Sequence, residues 1–249
     1  MAYEPNRSIE FKIKVDGFWD IDDLLKLSES MAESYGYFYA LAVTDQEIAR
    51  ELHNLVQKKF WTGDLETHRF GKFLYEKIPH SQGLKVKSLV YHSPGDFTLT
   101  GILDVLVLIA KTVKNFAEAA SNVTSTLEKI DAFFQKRKNY IKPKKKIPLD
   151  NDAENSLEEA RLIVFELGEL FGFDYTTCET VIAISGNPIS AVKLLTAIAR
   201  ETRKLSNMQS DGLLELPYLE GRTNIGRPMA NLEPPGVKVV RKPNRKKFT

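Results

Sequence analysis

The sequence predicts an α+β fold: a small N-terminal sheet with helices, one long heptad-patterned helix, a helical C-terminal module and an extended basic tail. Three observations predict it. Apolar residues alternate near the N-terminus, an apolar stripe advances in steps of four and three between Ile102 and Arg137, and lysine- and proline-rich stretches interrupt and follow the helical segments. With 43% apolar and 27% charged residues in 249, the chain can bury a core of one large or two small domains and is not a disordered polymer. The expected boundaries are 1–140 for an α+β domain ending in the long helix, 141–155 for a basic and polar linker, 156–206 for a three-helix module and 207–249 for an extended or disordered basic tail.

Ile9, Phe11, Ile13 and Val15 alternate with Glu10, Lys12, Lys14 and Asp16, as in a strand with one buried and one wet face that Gly17 ends. A helix follows, with Asp20 as N-cap, Asp22 and Asp23 near its positive end, and Leu24, Leu25, Leu27 and Met31 on its apolar face. Capping accounts for this acidic trio better than a divalent metal does. Tyr35, Tyr37, Tyr39, Leu41 and Val43 alternate again and predict a second strand, its tyrosines serving core packing rather than base stacking. Thr44 and Glu47 have capping-box spacing for a helix reaching about Lys59.

The stretch from Phe60 to Gly83 is irregular. Leu84–Tyr91 and Asp96–Thr100 then read as a hairpin turned by Ser93, Pro94 and Gly95. The segment from Lys87 to Asp96 and the start of the apolar helix after it, residues 87–101, resemble loosely a recurring stretch of uncharacterised bacterial proteins, which implies a bacterial origin and no activity. Leu106, Ile109, Val113, Phe116, Ala120, Val123, Leu127, Ile130 and Phe134 form a heptad seam free of proline and glycine. It predicts one helix of roughly 54 Å at about 1.5 Å per residue. Either the chain's own C-terminal helices cover that seam, or Val113, Phe116, Val123, Leu127, Ile130 and Phe134 face a second copy or another protein.

Ser156 and Glu159 suggest a capping box before Leu157–Leu170, Gly172 a stop, and Gly186, Asn187 and Pro188 a break before a last helix to about Leu205. Leu167, Leu170, Phe171, Gly172, Phe173, Cys178, Val181, Ile182, Gly186, Asn187, Ala191, Val192, Leu194 and Leu195 together resemble the ubiquitin-associated domain pattern over residues 157–200. Phe171 stands where that family usually has methionine, and the second loop is one residue shorter. The resemblance implies a three-helix bundle that binds ubiquitin through Phe171, Gly172, Phe173, Leu194 and Leu195.

The net charge of +2 hides a segregation. Lys136–Lys146 holds seven basic and no acidic residues and Lys238–Lys247 six and none, leaving the remainder strongly acidic. Lys136, Arg137, Lys138, Lys144, Lys145, Lys146, Arg241, Lys242, Arg245, Lys246 and Lys247 suit phosphate contacts that release counterions, giving affinity without sequence specificity. Prolines 217, 228, 234, 235 and 243 keep the tail extended, with Val237, Val239 and Val240 able to add an edge strand.

No metal, cofactor or nucleophile motif is present. His53, His68, His80 and His92 are scattered, the His92, Ser93 and Asp96 grouping lies on a tight turn, and Cys178 sits within an apolar helical pattern that favours a buried core thiol. A single cysteine excludes an intramolecular disulfide and suits a reducing cytoplasm; neither a signal segment nor a membrane span is expected. These features point to a non-enzymatic binding or adaptor protein that assembles through its long helix and contacts an anionic partner, nucleic acid being the best candidate, through its basic linker and tail. The competing readings are an enzyme or toxin-like effector with a site formed only in three dimensions around His92, Ser93 and Asp96 with His53 or His68, and a purely protein-binding scaffold.

Overall fold

The computed structural model describes residues 7–61, 69–90, 92, 94–137, 151–217 and 219. Strand β1 (Ser8–Val15) buries Phe11, Ile13 and Val15 and wets Glu10, Lys12 and Lys14, as the alternation predicts. It pairs antiparallel with β3 (Gly95–Ile102) from Ser8 opposite Ile102 to Val15 opposite Gly95. Strand β2 (Lys85–Val90) pairs with the outer edge of β3 through a bulge between Val86 and Ser88. On the wet face Lys12 meets Asp96 at 2.7 Å, and Lys87 meets Glu10.

Helix α1 (Ile21–Ala42) starts where the sequence places it: Asp20 accepts from the Asp23 amide at 2.8 Å, and the Asp23 carboxylate faces back to the Asp20 amide, a reciprocal capping box. The strand expected at Tyr35–Val43 is instead the second half of this helix. Residues Glu33 to Val43 are all buried, so every side of the helix is covered and no polar stripe marks a helical period. Tyr35 stacks on Tyr39, as i and i+4 positions allow, and its hydroxyl donates to the Gln82 carbonyl at 2.7 Å while accepting from the Ile102 amide at 2.9 Å. The tyrosines are core residues; the Tyr35 and Tyr39 hydroxyls hold Gln82 of the 79–83 turn, and Tyr35 joins it to the end of the sheet.

Helix α2 (Gln46–Trp61) is capped by Asp45, whose carboxylate takes the Glu47 and Ile48 amides at 3.0 Å, rather than by Thr44. The irregular region holds a short helix α3 (Phe70–Tyr75) that lies unusually close to α1. Glycines permit the approach: a Cβ on Gly36 would fall 2.1 Å from the Gly71 carbonyl oxygen, and one on Gly71 would fall 2.6 Å from the Glu33 carbonyl oxygen.

The single long helix divides into α4 (Leu103–Glu118) and α5 (Ala120–Arg137) at Ala119, whose backbone (φ −119°, ψ 32°) leaves the helical region. Ala120, nominally on the seam, is exposed, and the stripe resumes at Val123. No glycine or proline marks the break, so a heptad count alone passes over it. Leu103 follows β3 directly, which places α4 in the middle of the fold with Val105–Ala110, Thr112, Val113 and Phe116 buried.

Helices α6 (Asn151–Phe171), α7 (Tyr175–Ser185) and α8 (Pro188–Ser210) form the C-terminal part. The first begins before Ser156, so that residue lies inside the helix, and residues 151–155 are helix rather than linker. Gly172 (φ +73°) and Gly186 (φ +84°) end α6 and α7 in the left-handed conformation, and Asn187 caps α8 with Pro188 in its first turn. The stretch expected to be tail from residue 207 contains the last turn of α8 and β4 (Leu214–Glu215), which pairs with β1 at Lys14 and Val15 to give the sheet order β2-β3-β1-β4.

One apolar core runs from Phe11 to Leu216 across both expected domains. Phe171 meets Phe116 edge-on at 5.1 Å, Gln57 of α2 donates to the Ile184 carbonyl at 3.0 Å, and the buried Lys193 ammonium reaches the Phe60 carbonyl at 3.1 Å. The three-helix module is therefore one wall of a shared core. Among the described residues no single helix is long and apolar enough to cross a membrane.

Candidate functional site

The residues singled out in the sequence fall into three groups. Val113, Phe116, Val123, Leu127, Ile130 and Phe134 are buried, covered by α1, α6 and α8: Phe116 packs on Phe171, the Lys193 ammonium lies over the Phe134 ring, and Arg200 of α8 bridges to Asp131 of α5 at 3.1 Å. Of the two alternatives for the seam, the structure shows cover by this chain's own C-terminal helices, because their apolar sides need the same surface. Phe171, Phe173, Leu194 and Leu195 are also core residues, Phe171 stacking on Phe173 at 5.2 Å, and Gly172 is half-buried, so the positions a ubiquitin-associated domain would offer to ubiquitin are occupied internally. Lys136 is exposed at the end of α5 and Arg137 is its last residue; Lys138, Lys144, Lys145, Lys146, Arg241, Lys242, Arg245, Lys246 and Lys247 lie outside the described residues, as do Val237, Val239 and Val240.

Among the described residues the histidines do not assemble a site. His53 is buried, its Nε2 donating to the Ala40 carbonyl at 3.0 Å, whereas His80 and His92 are exposed and Asp96 is engaged by Lys12; His68 and Ser93 lie outside the described residues. Cys178 is a buried core thiol pushed up to about 11, chiefly by desolvation. Among the described residues no group of three His, Cys, Asp or Glu side chains is placed to hold a metal ion.

The structure gathers charge elsewhere. Lys26, Glu29, Ser30 and Glu33 recur at helical spacing along one face of α1; Glu201, Lys204 and Met208 do so along α8; Arg69 and Lys72 stand at the start of α3. These nine residues line a pocket of about 260 Å³. The Gly36–Gly71 approach brings the first turn of α3, with Arg69 and Lys72, against the α1 turn that carries Glu33. Arg69 is held at φ +61°, where a side chain other than glycine costs roughly 1 kcal/mol.

Glu33 is the most buried carboxylate of the lining. Only 8% of it is exposed, and its Oε2 has no hydrogen-bond partner among the described residues. Desolvation is the first cause raising its pKa above the ordinary 4.5; the neighbouring Glu201 and Glu29 charges raise it further, while Lys204 and Arg69 pull it down. Lys204 is already engaged by Glu201 at 2.6 Å. Lys26 meets Asp23 at a loose 3.5 Å.

Sequence reasoning passed over this pocket because its charges are spread over three distant segments, each of which alone looks like the wet face of an amphipathic helix. The one local signal is the pair of glycines in otherwise helical sequence, at 36 and 71, where close backbone contact is the usual reason for their presence. No protein-family model, curated protein sequence or solved structure matches the chain.

Proposed function

We propose that the protein is a non-enzymatic binding or adaptor protein that contacts an anionic partner, nucleic acid, through its basic segments in a reducing cytoplasm. The observation that carries this reading is the segregation of charge: thirteen basic residues and no acidic ones in Lys136–Lys146 and Lys238–Lys247, against a remainder near −11. The remainder would repel a polyanion held anywhere else, so binding is confined to those segments. Assembly through the α4–α5 stripe is not part of the proposal, since α1, α6 and α8 cover it.

The test is binding of labelled mixed-sequence DNA and RNA over a salt series, comparing the full chain with one truncated after Asn231. The reading expects affinity that falls steeply with salt and drops on truncation, with little dependence on sequence. Absence of binding to either polymer at low salt would sink it.

A further inference from the structure

The 260 Å³ pocket between α1, α3 and α8 is independent of the basic segments and has its own electrostatic demands. In its lining the Glu33 carboxylate is withdrawn from water with one oxygen unpaired among the described residues, which is costly unless a compensating charge arrives. Glu29 and Glu201 add to that demand, and the Lys204 ammonium is shared with Glu201. Lys26, Arg69 and Lys72 line the same space and ask for an anion. A dicarboxylate would set like charge against Glu33; a diamine would meet Arg69 and Lys72. The volume is at the small end of ligand pockets, which excludes a nucleic acid strand or a folded peptide.

We propose that this pocket binds a small zwitterion, an amino acid-like molecule whose ammonium pairs with the Glu33 carboxylate and whose carboxylate is held by Arg69 and Lys72. The ammonium offsets the charge of a carboxylate withdrawn from water, and the carboxylate of the ligand offsets the basic side chains lining the same space. Binding favours the ionised form of Glu33, so a fraction of the protein that carries a proton there releases it as the ligand arrives. The groups that face Glu33 and enter this balance are Glu29 on α1, Arg69 and Lys72 at α3, and Glu201 and Lys204 on α8.

Calorimetric titration of the full chain with glycine, β-alanine, γ-aminobutyrate and ε-aminocaproate tests it, with butylamine, butyrate and putrescine as controls. The expected result is saturable binding of at least one amino acid, about tenfold or more tighter than either monofunctional control of matching length. Its heat should depend on the ionisation enthalpy of the buffer, reporting proton release. Glu33→Gln should abolish both the binding advantage and the buffer dependence while keeping the circular dichroism spectrum and melting no lower than the parent, and Lys72→Ala should weaken binding while keeping the buffer dependence. Failure of every amino acid to bind, equal binding of butylamine or butyrate, or unchanged binding by Glu33→Gln would each overturn the proposal.

Discussion

The Nε2–H of His53 donates to the Ala40 carbonyl, Nδ1 has no partner among the described residues, and burial holds the ring below its ordinary 6.5. The unfolded chain therefore takes up a proton below pH 6.5 that the folded chain refuses, and the stability tied to His53 is lost as the pH falls through that value. Glu33 acts in the other sense. Its folded pKa lies above 4.5, so its share of stability is fully present below 4.5 and is lost as pH rises through the folded value. Calorimetric melting temperatures over a pH series separate the two: Glu33→Gln should melt about 3 °C above the parent at mildly alkaline pH, converge with it below pH 4.5, and retain the acid-side loss that His53 causes. A parent-like alkaline limb in Glu33→Gln would contradict the burial argument. At this scale the sequence was partly readable. Asp20 and Cys178 announce their roles through local pattern, whereas Glu33 follows Glu29 at the spacing of a solvated helix face and is buried only because α3 and α8 arrive from elsewhere.

Elements succeed or fail in the sequence according to how many of their sides are wet. Strand β1 has one wet face and is legible residue by residue; the second half of α1 has none, and its alternating tyrosines imitate a strand. The α4–α5 break is hidden for a related reason, since both halves keep the same apolar spacing and Ala120 is tolerated on either surface. The packing of α1 on α3 gives the sharpest prediction here. Gly36→Ala sets a methyl 2.1 Å from the Gly71 carbonyl oxygen, backbone that cannot move aside, so the helices must separate. Urea denaturation should show a loss of about 3 kcal/mol, with Gly212→Ala, where a Cβ meets nothing within 4 Å but the φ is +73°, losing only about 1 kcal/mol. Equal losses would mean that backbone conformation rather than helix approach limits both sites.

For the whole molecule, the linker composition suggests two modules and the packing joins them. Residues 141–146 carry four lysines and a proline and look like a boundary, yet α6 and α8 cover the apolar side of α4 and α5, and α7 docks on α2. Composition reports how a segment meets water, not what the elements on either side of it do. A fragment of residues 1–140 would expose Phe116, Val123, Ile130 and Phe134 together, a larger apolar stripe than a soluble domain keeps. It should aggregate or lack dispersed amide resonances, and the full chain should melt in one cooperative transition; a well-dispersed spectrum from the fragment would restore the two-domain reading.

The pairing of β4 with β1 also bears on how the chain is made. Lys14 and Glu215 meet at 2.9 Å although 201 positions separate them, so β1 completes its sheet only after α8 has been synthesised. Until then one edge of β1 at Lys14 and Val15 is open and the apolar sides of α4 and α5 lack their cover. Folding of this part of the chain is thus deferred until β4 has been made, and its vulnerable interval is the time the ribosome takes to travel from α5 to β4.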